Sequence, residues 1–198
     1  MPDRIRKHYQ RHAHAFDEAR RGNFVEQGWL DRFLLAVPKG GRILDLGCGA
    51  GEPIARYLID RGRQLTGVDI SERMVALART RFAGHRWICG DMRDAAVEGP
   101  FHGVIAWDSI FHLPPDDQAA MVVKAAGLLA PDGAFLFNTG SARDETIGCQ
   151  FGDALYHASL APAEYRALFA GHGLLEVAFV PHDPMTGGRA IWLVRKGH

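Results

Sequence analysis

Residues 42–53 read Arg-Ile-Leu-Asp-Leu-Gly-Cys-Gly-Ala-Gly-Glu-Pro, and no other stretch restricts the fold of this chain so tightly. Ile43, Leu44 and Leu46 form a strand-like apolar run broken by one acid, Asp45. Gly47, Gly49 and Gly51 follow at alternate positions, and Ile54, Ala55, Leu58 and Ile59 then recur at helical spacing. A strand that turns on glycines into a helix presents free helix N–H groups, with no Cβ atoms to keep a ligand away. The spacing separates ligand classes. Dinucleotide turns follow G-x-G-x-x-G, whereas the third glycine position here is Glu52. There is also no G-x-x-x-x-G-K-[ST] run, so the turn is not a P-loop.

Around this turn the chain alternates. Residues 65–68 read as a second strand ending in Asp69, and Ser71 caps a helix carrying Met74, Val75, Leu77 and Ala78. Strands over 86–89, 103–107 and 134–137 follow, with a helix from Pro115 to Leu129 between the last two. Helices are also expected over 24–37, 52–61 and 162–170. Two final strands, 174–181 and 190–195, flank a Gly187-Gly188 turn. Five strand–helix alternations with short connections predict an α/β fold, a parallel sheet with helices on both faces. Ligands of such sheets bind beyond the carboxyl ends of the strands. Four of those ends are marked, by the glycine turn, Asp69, Asp91 and Asp108.

Composition narrows the class. At 198 residues and 47% hydrophobic content the chain suits one domain with a full core. A net charge of zero gives no reason to expect nucleic acid or an anionic membrane as partner. No apolar run approaches the roughly 20 residues of a membrane span, and the first residues lack a signal-peptide core, so a cytoplasmic location is expected. Cys48, Cys89 and Cys149 are too far apart for a C-x-x-C site and are read as reduced thiols. His8 and His12 stand at i and i+4. With no carboxylate or cysteine cluster near them in sequence, they read as solvated helix side chains and no metal is expected.

The run Leu44-Asp45-Leu46-Gly47-Cys48-Gly49-Ala50-Gly51 resembles motif I of class I S-adenosylmethionine (SAM) dependent methyltransferases, and the similarity extends well over residues 42–139. The resemblance implies one Rossmann-like domain over 1–198, a seven-stranded sheet of five parallel strands plus a C-terminal antiparallel hairpin. Its parts would be a helical cap (1–37), a SAM-binding core (42–139) and a last helix with hairpin (162–198), while residues 140–161, with few periodic apolar residues, read by themselves as a lid-like irregular loop. It implies that Asp45, Gly47, Cys48 and Gly49 contact the cofactor, and that Asp69 accepts hydrogen bonds from the ribose hydroxyls. Asp91 would face the adenine amino group, with Ile70 and Met92 sandwiching the ring. Met74 and Trp107 would complete the pocket, and Tyr9 with Trp29 would resemble the cap of ubiquinone and trans-aconitate methyltransferase-like members. Cys48 on its own reads as a small buried filler.

Within Trp107-Asp108-Ser109-Ile110-Phe111-His112-Leu113, His112 falls where many small-molecule members carry a histidine, and is the candidate base for a hydroxyl or amine acceptor. The Asn-Pro-Pro-Tyr-like motif of exocyclic-amine methylation is absent. Tyr156, His157 and Arg189 are the candidate acceptor contacts, the arginine as a grip on an acidic group. The expectation is methyl transfer to O or N of a small molecule, a carboxylate included, by a monomer or homodimer. A nicotinamide-dependent oxidoreductase and a non-catalytic SAM-binding regulator are the rivals. Glu52 and the lack of a Tyr-x-x-x-Lys pair count against the oxidoreductase.

Overall fold

The computed structural model describes residues 2–198. The main sheet contains β1 (Arg42–Leu46), β2 (Gln64–Asp69), β3 (Arg86–Cys89), β4 (Phe101–Ala106), β5 (Leu129–Thr139), β8 (Leu174–Asp183) and β9 (Arg189–Lys196). Their order is β3-β2-β1-β4-β5-β9-β8. The first five strands run parallel, while β9 pairs antiparallel with both β5 and β8. The α/β class, the five parallel strands and the terminal antiparallel pair all match the sequence expectation. Because the order reverses at β1, a crevice opens between the carboxyl ends of β1 and β4.

Alternation along each strand builds two cores. Ile43, Ile105, Leu136 and Ile191 face one side, under α2 (Gln27–Leu34), α3 (Ile54–Asp60) and α4 (Glu72–Arg81). Leu44, Val104, Phe135, Phe137 and Trp192 face the other, under α5 (Pro115–Leu128) and α6 (Pro162–Gly171). The cap is α1 (Pro2–Arg21), which kinks at His12 (φ −100°, ψ 15°).

The structure departs from the sequence reading in four places. The helix expected over 24–37 is only α2. Leu35, Ala36 and Val37 instead make i→i+3 bonds ahead of Pro38, which disfavours α geometry in the residue before it. Strand β5 starts five residues early, because Leu129 already pairs with Phe101 before the ladder shifts register. Trp29, expected in the cap, is buried in the sheet core and donates its indole N–H to Asp183 Oδ2 at 2.6 Å. Residues 140–161 are not irregular: β6 (Asp144–Gln150) and β7 (Asp153–Ser159) form an antiparallel hairpin. Its turn is Phe151-Gly152, with φ of +49° and +81°. Positive φ at both central residues is the type I′ geometry, and a phenylalanine where Asn or Asp is usual hides the signal. β7 also buries Leu155, Tyr156, Ala158 and Ser159, a pattern without period two.

Candidate functional site

The eleven residues assigned to the cofactor line one cavity above the β1–β4 crevice: Tyr9, Asp45, Gly47, Cys48, Gly49, Asp69, Ile70, Met74, Asp91, Met92 and Trp107. The glycine turn is fixed from below. Gly47 N and Cys48 N both donate to Val68 O, which continues the β1–β2 ladder into the turn. A Cβ at Gly47 would lie 2.3 Å from Ser109 Cβ, on a backbone already at φ +80°. Gly49, at φ +52°, has open space where its Cβ would be, and that space belongs to the cavity. Its N–H donates to Asp69 Oδ2 at 2.8 Å, and Ser71 N–H donates to Asp69 Oδ1 at 2.8 Å. Ser71 also caps α4 through Met74 N–H, as the sequence indicated.

The acids differ in electrostatic state. Asp45 is 2% exposed, and its Oδ2 has no hydrogen-bond partner. Burial, reinforced by the Asp69 charge, pushes its carboxyl up to about 7. Burial also raises Asp69, against the pull of the Ser71 and Gly49 N–H groups. Asp91 lies below the usual carboxylate range, because the Arg93 guanidinium bonds both its oxygens, at 3.0 and 2.6 Å. Arg93 also reaches Asp117 at 2.7 Å. Cys48 is buried, with Sγ close under Gly67, and burial drives its thiol upward, which fits a small filler beside the cavity.

A second cavity adjoins the first, sharing Tyr9, Phe16, Arg20, Asp108 and His112 as a common wall. His112 sits on a short 3-10 turn, Ile110–His112, at the end of the segment after β4. Its Nδ1 faces the Tyr156 carbonyl at 3.0 Å, an acceptor only, so Nδ1 carries the proton. Nε2 is then a lone pair, and the Tyr9 hydroxyl donates to it at 2.9 Å. Burial lowers His112 to about 4, leaving a neutral imidazole.

The acceptor contacts need two corrections. The Tyr156 side chain lines neither cavity; its hydroxyl donates to Glu145 Oε2 at 2.6 Å, and only its carbonyl serves the site. Arg189 lines the second cavity, but its guanidinium is committed to Asp108 in a bidentate pair of 2.7 and 2.8 Å. His157 does line the second cavity, 4.9 Å from His112 centroid to centroid.

Sequence reasoning marked Asp108 as a strand end but gave it no role. It adopts φ +50° and is held by Arg189 and by the Asn138 side-chain amide, whose Oδ1 accepts from the Asp108 N–H at 2.7 Å and whose Nδ2 donates to Asp108 Oδ1 at 2.8 Å. The sequence marks Asn138 only as a polar residue closing the apolar run Phe135-Leu136-Phe137, and the fold buries it. Ser109, which donates to Leu46 O at 2.6 Å and ties the β4 loop to β1, left no signal.

Comparison with known proteins agrees with this geometry. The family described as "Methyltransferase domain" matches residues 43–133. The chain is 32% identical to a putative methyltransferase, YqeM, of Bacillus subtilis over 139 residues, covering 67% of this chain and 56% of the relative. It is 31% identical to the ubiquinone biosynthesis O-methyltransferase of a Caulobacter species, covering 75% and 66%. It thus spans about half to two thirds of the length of these curated relatives. Among solved structures, a SAM-dependent methyltransferase from Clostridium acetobutylicum superposes with a TM-score of 0.74 at 16% identity, covering 96% of this chain and 99% of that one. Residues 43–133 thus match a methyltransferase domain, and the fold is shared with SAM-dependent methyltransferases of known structure.

The residues present fit SAM as the cofactor. Asp45 offers an unpartnered buried carboxylate to a cationic group, Gly49 leaves open space against the turn, and Ile70 and Met92 give apolar walls. Among the described residues no helix is long and apolar enough to cross a membrane.

Proposed function

We propose that this chain transfers the methyl group of SAM to an oxygen or nitrogen of a small-molecule acceptor, releasing S-adenosylhomocysteine (SAH). The observation that carries the proposal is Asp45. A buried carboxylate without a partner is costly, and a cationic ligand group beside it removes the cost. The ammonium of the cofactor's amino-acid end supplies such a group. Asp69 takes the ribose hydroxyls, Asp91 faces the adenine amino group, and Ile70, Met74, Met92 and Trp107 enclose the remainder.

Bound SAM supplies an electrophilic sulfonium methyl. The protein's part is to position the acceptor and exclude water. The acceptor occupies the second cavity, whose Phe111, Leu155, Phe151 and His157 suit an apolar or aromatic body. Arg189 is already neutralised by Asp108, so an uncharged hydroxyl or amine suits this cavity better than a carboxylate. His112 Nε2, a neutral lone pair on the shared wall, takes the acceptor proton as the Tyr9 hydroxyl yields its place.

Calorimetric titration of SAH into the protein and into Asp69→Ala tests the reading. Binding to the native protein is expected, weakened in the variant by about 1–3 kcal/mol as the ribose hydroxyls lose their acceptor. A folded native protein that gives no heat with SAH would refute the proposal.

A further inference from the structure

We propose that His8, His12 and Asp153 form a divalent transition-metal site that clamps the cap helix to the β6–β7 hairpin. Nothing in the methyl-transfer chemistry uses these residues, and 141 residues of chain separate His12 from Asp153. The fold nevertheless brings three donors to one point. His8 Nδ1 lies 3.0 Å and His12 Nε2 3.1 Å from the same oxygen, Asp153 Oδ2. All three donor atoms lie within 4.8 Å of one another. A tetrahedral ion with ligands at about 2.0–2.1 Å sets its donors roughly 3.3–3.4 Å apart. The two nitrogen–oxygen distances reach that spacing by lengthening a few tenths of an ångström.

The histidines are not the solvated pair that the sequence suggested. His8 is only 2% exposed. Its other nitrogen, Nε2, faces Gln150 Oε1 at 3.0 Å. Both ring nitrogens therefore point at acceptor oxygens, and a neutral imidazole has one N–H to give. An ion at Nδ1 resolves this: Nε2–H donates to Gln150, and the Nδ1 lone pair ligates. A ligating histidine whose remote N–H is held by an amide or carbonyl oxygen is the usual arrangement around bound zinc. Arg11 Nη1 donates more closely to Asp153 Oδ1, at 3.0 Å, than to Oδ2, at 3.4 Å, and both histidines face Oδ2.

The ring planes are fixed by packing. Phe151, at the tip of the hairpin turn, stacks on His12 at 5.3 Å and on His8 at 6.1 Å. The kink of α1 falls at His12 itself. Because His12 and Asp153 remain partly exposed, a water has access to the fourth position. Two imidazoles and one carboxylate suit Zn²⁺ or Co²⁺ better than Mg²⁺ or Ca²⁺. Gln150 and Phe151 also line the second cavity, so an ion here would hold the cap and hairpin closed over it.

The test uses untagged, chelator-treated full-length protein carrying Cys89→Ser and Cys149→Ser, which removes the exposed thiols. Co²⁺ is titrated by visible absorption. One equivalent is expected, with a nitrogen–oxygen spectrum, displaced by Zn²⁺. Asp153→Asn and His12→Ala should abolish it, and Gln150→Leu should weaken it on the order of 10- to 100-fold. Hydrogen exchange should show residues 2–21 and 144–159 slowed by Co²⁺ in the parent and unchanged in Asp153→Asn. Asparagine keeps the size and an acceptor oxygen, so this variant preserves a folded clamp even where His12→Ala does not fold. Absence of saturable Co²⁺ binding would mean that protons alone hold the cluster, and would overturn the proposal. Undiminished binding in Asp153→Asn would place the ion elsewhere and overturn it equally.

Discussion

The sheet body and the cap are held by different physics. The body buries two apolar layers, with Phe135, Phe137, Leu136 and Ile191 fully inaccessible. The cap touches the body through a small apolar patch, Ala13 against Ala50 and Met74 with Tyr9, Phe16 and Leu77 around it. Its remaining ties are polar. Arg81 holds Asp17 in a bidentate pair at 2.5 and 2.6 Å, Gln10 accepts from Ser71 and Arg73, and Tyr9 bonds His112. Apolar burial stabilises in proportion to area and has no second state, whereas polar ties open locally at lower cost. The division suits the site. With α1 seated, the first cavity holds about 110 Å³, below the roughly 300–1,000 Å³ of ordinary ligand pockets. The body carries ten of the eleven residues assigned to the cofactor, and the cap contributes Tyr9.

The largest effect lies in the body. Phe137 is fully buried and stacks on Phe135 at 4.4 Å and on Trp192 at 6.2 Å. Phe137→Ala should lower the unfolding free energy by about 3–5 kcal/mol in denaturant titration, through lost burial and the cavity left behind. A loss below about 1 kcal/mol would mean that this layer is not the core it looks like.

In the cap the corresponding break is Asp17→Ala. Asp17 is 3% exposed and its Arg81 partner is half-buried. The substitution should lower the free energy of cap opening by about 1–3 kcal/mol, seen as faster hydrogen exchange in residues 2–21. The denaturant midpoint of the body should hardly move. An equal loss of protection in β1 and β4 would erase the distinction between the two regions.

Asp45 is where the body's stability depends on pH. Its carboxyl sits at about 7 in the folded chain against an ordinary 3.8, so between those values the folded state holds a proton that the unfolded state has released. Stability from this group is complete below about pH 4 and is lost as pH rises through 7. Asp45→Asn should therefore leave stability near pH 4 unchanged and raise it at pH 8 by on the order of 1–3 kcal/mol, while weakening SAH binding. Identical pH–stability curves for parent and variant would show that the buried charge is already compensated.

The sequence made the body legible and the cap largely not. Strand β1, the glycine turn and the acids at the strand ends follow from local spacing, and the parallel sheet follows from the strand–helix alternation. The hairpin was missed because Phe151 occupies a position where asparagine is usual, and because β6 exposes Ile147 while β7 buries residues on both its faces. Arg189 was read as a free cation because its partner, Asp108, lies 81 residues away. The carboxylate that joins His8 and His12 is equally remote. Charge pairing across long sequence separations leaves no periodic trace, so the clamps of the cap became visible only in three dimensions.

The smallest effect sharpens the line between cap and body at their shared wall. Tyr9→Phe removes one hydrogen bond, to a neutral His112, and should weaken cap closure by about 0.5–1.5 kcal/mol. SAH affinity falls by the same few-fold factor if closure accompanies binding. The pH dependence of that loss is diagnostic. His112 is lowered to about 4 and burial raises Tyr9 above the usual phenol range, so neither group titrates between pH 6 and 8. The difference between Tyr9→Phe and the parent should therefore be the same at both pH values, unlike that of Asp45→Asn. A protonated His112 has no lone pair at Nε2 to accept the hydroxyl, so a difference that vanishes at pH 6 would show that His112 is a cation there. It would then be unable to act as the base at that pH.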